Sequence, residues 1–495
     1  MSKPKMIEEV KNITLVVLFL STVLLLYFFW GNISFDQLKP TAAQTGGEVP
    51  DVISLIKPEQ IVVNFGADNY TVLPPGDVWY TPTESDKDSF VKELGRFGPQ
   101  ENVLVKEISF DQYQQVMKLR SIRAEFSYDI PISDFCTYFG MKKPQSYDTI
   151  ETVTEIGYST AEEKSLFIRD GKNDKFYWLA ADSEENDGAN KMDFPGLISS
   201  IETKGYSIYY PVSSYLGGSV KNDTLVPLSV QANLKSFLFR QDFYSYQSEK
   251  INAMAEGFFG GNFDFVRKIT EENGTIIYMY GYGQNVLIVN TDGSIEYKEE
   301  PTGGSSEQGF SGELETAVNY VAAHGSWESL DRARLTPYLK DVIRDPDKKK
   351  GYRFIFGMEV NGSRLFYETG DPIVVDVTSG QVTYYKRHMI DFDQKDIEAV
   401  ETDASKDAFS AVNLIAQNFR YIYEILLQKG EAPATNDQAV MFNEIASMVK
   451  GMQIGYMKPS NMEAAEIRPV WAVTVNSTEI YFDLYSAEPV GYSRD

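Results

Sequence analysis

Residues 351–385, GYRFIFGMEVNGSRLFYETGDPIVVDVTSGQVTYY, carry the pattern that decides the fold class. Arg353-Phe-Ile-Phe356, Val374-Val-Asp-Val377 and Val382-Thr-Tyr384 are short runs rich in β-branched and aromatic residues, and Asn361-Gly362 and Ser379-Gly380 punctuate them. Asn-Gly and related pairs accept the positive φ of tight turns, so the stretch reads as nearly continuous antiparallel hairpin. The pattern recurs upstream in Thr275-Ile-Ile-Tyr278, Val286-Leu-Ile-Val289, the turn Asp292-Gly293 and Ile295-Glu-Tyr297. It recurs at the end of the chain in Val470-Trp-Ala-Val-Thr-Val475, Asn476-Ser477, Ile480-Tyr-Phe-Asp-Leu484 and Val490-Gly-Tyr492. Residues 287–297 and 374–384 share turn position and final Tyr, and 483–492 echo them with Glu488 in the place of Gly. Antiparallel hairpins in general share this outline, so the echo alone does not establish duplication.

Helical periodicity lies between the hairpin blocks. Phe409, Val412, Ile415, Phe419, Ile422 and Leu426 form one stripe within 405–428, which Gly430 and Pro433 close. A second helix is expected over 437–450, another over 247–259, one through Leu314, Val318 and Val321, and one within 85–95 around Phe90, Val91 and Leu94. Nearer the N-terminus, Ile61-Val-Val-Asn64-Phe65 and Tyr70-Thr-Val-Leu73 flank a turn at 66–69, and further strands are expected at 103–105, 125–128 and 165–168. The expected class is α+β, with antiparallel sheets and packed helices.

Ile13 to Trp30, ITLVVLFLSTVLLLYFFW, is free of charge and ends in Tyr27, Phe28, Phe29 and Trp30. As a helix this run is about 27 Å long, close to the hydrocarbon thickness of a bilayer, with aromatics suited to the interface. A cleaved signal peptide fits less well, because the nearest small pair, Ala42-Ala43, lies over ten residues beyond the run. Lys3, Lys5 and Lys11 precede the run, and Lys39 follows it, so the N-terminus is expected inside and the bulk of the chain outside. The expected division is a cytoplasmic tail at 1–11, a transmembrane helix at 12–31 and a linker at 32–50. An N-terminal extracellular α+β domain follows at 51–230, a middle α+β domain at 231–392 and a C-terminal α+β domain at 393–495. Thr14, Ser21 and Thr22 are the polar residues of the membrane segment and the candidates for contact with another membrane helix.

Composition narrows the function classes. The 495 residues carry 46 Lys plus Arg against 71 Asp plus Glu, a net charge of −25, which argues against nucleic acid as the main partner. One Cys and two His exclude a disulfide framework, a four-thiolate zinc site and a three-histidine metal site. No Gly-x-Ser-x-Gly elbow, Walker A loop or dinucleotide-binding glycine pattern occurs. Ser447-Met-Val-Lys450 fits Ser-x-x-Lys, but without companion motifs it reads as a packed helix. The acidic run 182–188 lacks Gly at the sixth position of a calcium loop, and Asp391, Asp393, Asp396 and Glu398 read as a solvated connector. His324 is expected near a helix C-terminus and His388 at a strand end, neither as a catalyst. The aromatic clusters at 237–246 and 258–265 read as core. No catalytic, cofactor-binding or metal-ligating residue is expected.

Several segments in succession carry a resemblance. They are Pro58-Glu-Gln-Ile61-Val-Val-Asn64-Phe65-Gly66; Phe258-Phe259 to Val266-Arg267 with Asn273-Gly-Thr275-Ile-Ile-Tyr278 and Asp292-Gly-Ser-Ile-Glu-Tyr297; Gly351-Tyr-Arg-Phe354 with Val360-Asn-Gly362 and Val382-Thr-Tyr384; and Pro469-Val-Trp471-Ala-Val473. With the single anchor, this order resembles the YycH family, extracytoplasmic regulators of the cell-wall sensor histidine kinase WalK in Gram-positive bacteria. The related YycI proteins share the anchor and similar hairpin modules. The glycines of 257–261 depart from the pattern. The resemblance implies a non-enzymatic regulator in the cell membrane, acting by protein–protein contacts with a WalK-like kinase and a YycI-like membrane protein. The alternative is an envelope ligand-binding or peptidase-inhibiting module, because the helix-plus-hairpin units look like PepSY domains.

Overall fold

The structure, a computed structural model, describes residues 49–493 apart from 81–88, 98–102, 142–147, 182–191, 216–219, 233, 242–247, 302–307, 326, 328–334, 345–350, 361, 389, 392–405, 433 and 460–463. The tail at 1–11, the expected membrane helix at 12–31 with Thr14, Ser21 and Thr22, and the linker as far as 48 lie outside the described residues. So do the acidic run at 182–188 and most of the connector that follows Asp391.

Nine strands build the first sheet: β1 (Gln60–Asn64), β2 (Tyr70–Leu73), β3 (Val103–Ile108), β4 (Ser121–Pro131), β5 (Thr152–Ser159), β6 (Ser165–Asp170), β7 (Lys175–Ala181), β8 (Tyr209–Pro211) and β9 (Leu225–Pro227). Their order is β3-β7-β6-β5-β4-β1-β2-β8-β9, and every pairing is antiparallel. Strand β1 lies between β4 and β2, with Val62 opposite Arg123 and Val72. The two-residue period of a strand turns Ile61 and Val63 into the core and leaves Gln60 and Val62 on the other face. Helices α1 (Phe90–Phe97), α2 (Phe110–Met117), α3 (Ile132–Tyr138) and α4 (Phe194–Lys204) accompany this sheet. Helix α2 starts on a capping box, Ser109 with Gln112, and sets Tyr113 and Met117 on Phe167 and Phe176.

The second assembly is larger. Its strands are β11 (Phe237–Gln241), β12 (Arg267–Thr270), β13 (Ile276–Tyr280), β14 (Asn285–Val289), β15 (Ser294–Glu299), β16 (Leu335–Arg344), β17 (Tyr352–Val360), β18 (Ser363–Tyr367), β19 (Ile373–Thr378), β20 (Gln381–His388), β21 (Ile390–Asp391), β23 (Val449–Lys458), β24 (Ala464–Val475), β25 (Thr478–Asp483) and β26 (Pro489–Tyr492). They form one 15-stranded sheet whose main path is β12-β13-β14-β15-β20-β19-β17-β18-β23-β24-β11-β21, while the short β10 (Gln231–Ala232) pairs with β22 (Lys406–Asp407). Helices α5 (Ser248–Phe259), α6 (Gly309–Ala323), α7 (Ala411–Gln428) and α8 (Gln438–Met448) belong to this half.

Two pairings unite the hairpin blocks. Strand β15 lies against β20 with Tyr297 opposite Tyr385, so the two echoing hairpins adjoin in one sheet. Strand β18 runs parallel to β23 with Leu365 opposite Tyr456. Gly455 permits that approach, because a Cβ there would sit 2.5 Å from the Arg364 carbonyl oxygen. The turn at Ser379-Gly380 has φ of 53° and 74°, as the sequence pattern predicts. Glu313 of α6, fully buried, accepts from the Gly380 N–H at 2.9 and 3.1 Å and fixes the helix on this turn. A core of buried side chains runs from Leu55 through Phe354 and Tyr385 to Ile467, and a second surrounds α7, α8 and β24–β25. Ser127 of β4 donates to the Lys340 carbonyl of β16 at 2.5 Å, and Lys57 pairs with Glu359 at 3.1 Å, joining the two sheets.

Three expectations change. The helix over 405–428 begins at Ala411, because Lys406–Asp407 is drawn into pairing with Gln231–Ala232. The helix over 437–450 stops at Met448, and Val449 opens β23. The sequence pattern does not mark strands β16, β18 and β23: β16 and β23 form hairpins with β17 and β24, and β18 and β23 also pair with each other across the chain.

Candidate functional site

A cavity of ≈ 680 Å³ opens between the exposed-side face of the nine-stranded sheet and the wall made by β18 and β23. Gln60, Val62, Val72, Arg123 and Glu125 reach it from β1, β2 and β4. Arg364, Met452, Gln453 and Ile454 face them from β18 and β23, and residues 223–225 with Val230, Ala232 and Leu234 close one side. Alternation explains the first wall, since Gln60, Val62 and Val72 share the face turned away from the Ile61–Val63 core.

The charges on the two facing walls of this cavity are paired. Arg123 Nε lies 2.6 Å from Glu125 Oε1 and 3.6 Å from Glu155. Gln60 Nε2 donates to the other Glu125 oxygen at 2.7 Å. Across the gap, Arg364 Nη2 donates to the Glu59 backbone oxygen at 2.7 Å, and Nη1 stands 3.5 Å from the Glu59 carboxylate. Gln453 Nε2 donates to that carboxylate at 3.2 Å, and the Arg364 guanidinium also lies 5.2 Å from the Tyr338 ring centre. Behind this wall, burial raises the Glu155 carboxyl to about 7, and the Tyr113 hydroxyl donates to it. Periodicity gave no sign of this cavity, which exists because residues such as Glu59 and Arg364, 305 apart in the chain, come together.

The residues that the sequence singled out do not assemble into a reactive centre. Ser447 lies in the last turn of α8, is exposed and donates to the Glu444 carbonyl at 2.7 Å, whereas Lys450 lies on β23, so the Ser-x-x-Lys pattern spans two elements. His324 caps α6, as its position near a helix end predicts, and its Nδ1–H donates to Tyr320 O at 3.0 Å. Burial lowers its pKa, and its ring stacks on Tyr320 at 4.0 Å, so the favourable cation at the helix end is not what holds it. Phe237, Phe258 and Phe259 are buried, as the core reading requires, but Phe265 is 78 % exposed. Among the described residues no cluster of three His, Cys, Asp or Glu could hold a metal, and no helix is long and apolar enough to cross a membrane.

His388, at the end of β20, is almost completely buried beside Lys458, Asp292 and Lys386. Burial, with help from the Lys458 ammonium, lowers its pKa to about 4, and burial likewise lowers Lys458 to about 8. Burial works against the Asp292 carboxylate, but its bonds from Ser294 keep its pKa below the ordinary value. The folded chain therefore binds fewer protons at His388 than the unfolded chain between about pH 4 and 6.5. This contribution is complete above the upper value and is lost as pH falls through the window, at up to about 1.4 kcal/mol per pH unit. Glu155 slopes the opposite way between about 4.5 and 7, because its folded pKa is raised. Urea unfolding of the wild type and of His388→Gln across pH 4–7 separates the two. The variant loses less stability on acidification, and parallel profiles would refute this account.

No family model matches the chain, and no curated protein matches it. Among solved structures it matches the crystal structure of YycH from Bacillus subtilis, with a TM-score of 0.50 and 13 % sequence identity over 88 % of this chain and 98 % of that one. The chain has the YycH-like fold.

Proposed function

We propose that this protein is a membrane-anchored extracytoplasmic regulator of a two-component sensor histidine kinase that controls cell-wall metabolism. It acts without enzymatic activity, through contacts with a WalK-like kinase and a YycI-like membrane protein. The fold match, which spans nearly the whole of both chains, carries this reading. The apolar segment 13–30 supports the anchor, and the Lys3, Lys5 and Lys11 flank supports a cytoplasmic N-terminus and an extracellular body. In this reading Thr14, Ser21 and Thr22 offer polar contacts to a partner helix, of about 0.6–2 kcal/mol each. Regulation requires that the protein contact one signalling state of the kinase better than the other, since equal contact with both shifts nothing.

The test is recovery of the full-length protein from native membranes in mild detergent, beside a version with residues 12–31 replaced by an unrelated membrane helix. One histidine kinase is expected with the natural chain, and less of it with the replaced helix. Equal recovery would move the contact to the outer body. Repeated absence of any kinase would overturn the proposal.

A further inference from the structure

We infer that the ≈ 680 Å³ cavity between the two sheets is a binding site for a short peptide with free termini and an apolar side chain. The inference stands on the cavity and not on the kinase reading. Its volume lies within the ~300–1,000 Å³ of pockets that enclose small ligands. Its apolar surface comes from half-buried side chains on both walls, Val72 and Leu225 on one side and Ile454 on the other, so an apolar side chain placed there is covered on two faces.

The charges select the rest of the ligand. Arg123 faces Glu125, and Arg364 faces Glu59, so each cation at the walls has an anion beside it. Lys450 and Asp223 add one charge of each sign at the rim, neither in an ion pair among the described residues. A ligand of one sign is attracted by half of these groups and repelled by the other half, and an anion is further opposed by the net charge of −25. A zwitterion is favoured at both ends. Arg364 is engaged by Glu59, whereas the exposed Lys450, without an ion pair among the described residues, is the cation that takes a terminal carboxylate. Asp223 is positioned to take the ammonium.

Two glutamines match what lies between the termini. Gln60 and Gln453 each give an amide N–H to a glutamate, and their amide oxygens have no partner among the described residues. The orientation is settled by chemistry, because an ionised carboxylate only accepts. Each side chain thus offers the cavity an acceptor, with a second N–H beside it, the complement of a peptide group.

The experiment is calorimetric titration of the full-length protein in detergent micelles with Ala-Leu-Ala, its N-acetyl form, its C-terminal amide and the doubly blocked form. The free tripeptide is expected to bind at one saturable site, and each block to weaken binding by about tenfold or more, equivalent to about 1.4 kcal/mol. Val72→Trp projects an indole into the cavity in place of the apolar ligand side chain and is expected to abolish binding. Asp223→Asn, at an exposed position that leaves the fold undisturbed, is expected to erase the difference between the free and acetylated peptides. Absence of saturable binding at millimolar concentrations would overturn the inference. So would equal binding of all four peptides, or undiminished binding to a folded Val72→Trp protein. Kinase recovery from membranes is unaffected by either result, so failure here is distinguishable from failure of the proposed function.

Discussion

Replacing Arg96 by Met lowers the stability of the first sheet and its helices by about 3–5 kcal/mol, the cost of leaving a buried carboxylate without its cation. Glu93 on α1 is fully buried, and Arg96, one turn further on, closes on both of its oxygens at 2.7 and 2.8 Å. The same carboxylate accepts from the backbone N–H of Asp193, and Asp193 in turn caps α4 by accepting from the Gly196 N–H at 2.9 Å. One buried charge therefore joins two helices that are 100 residues apart in the chain. Glu93→Gln combined with Arg96→Met is expected to recover much of the loss, because the neutral amide removes the unpaired charge. Urea unfolding followed by circular dichroism measures both. A loss under about 1 kcal/mol for the single variant would mean that the pair behaves as a surface salt bridge.

Trp79→Ala is expected to cost a similar amount, about 3–5 kcal/mol, through the cavity that it leaves. The indole is 1 % exposed and lies against Phe90, Phe126 and Phe139 with ring centres 5.4, 5.5 and 5.1 Å away. Its Nε1–H donates to the Ile56 carbonyl at 2.9 Å, so truncation also deprives a buried acceptor of its partner. Trp79→Phe keeps most of the volume and loses only the bond and the second ring, so it is expected to cost less than half as much. The order of the two variants in the same urea measurement is the test. Equal losses would show that the hydrogen bond, and not the packing, dominates at this site.

Much of the architecture was legible in short windows. The hairpins at 275–297, 351–385 and 470–492 appear at the positions that their turn residues announce, and the stripe from Val412 to Leu426 is helical. These signals are local. A turn needs positive φ at one or two positions, and a helix facing a core needs apolar residues at 3.6-residue spacing. Strand β23 shows the opposite case. Its glycines at 451 and 455 weaken any strand pattern, and Gly455 is there for a neighbour, the Arg364 carbonyl of β18, that lies 91 residues away in sequence. Arg364 and Gln453 were not marked by the sequence, because a lone polar residue in a strand looks the same at a solvent face and at a cavity wall.

Sequence alone therefore determined the α+β class, the tight turns, the main amphipathic helices, the resemblance to YycH and the absence of catalytic motifs. Tertiary structure decided that the hairpin blocks join through β15–β20 and β18–β23 into one sheet, that Glu93 and Glu313 are buried clamps, and that a cavity lies between the sheets. The reason is range. Dihedral preference and periodicity act within a turn or two of the chain, whereas pairing partners, burial of a given charge and the space between two sheets depend on residues brought together only when the whole chain folds.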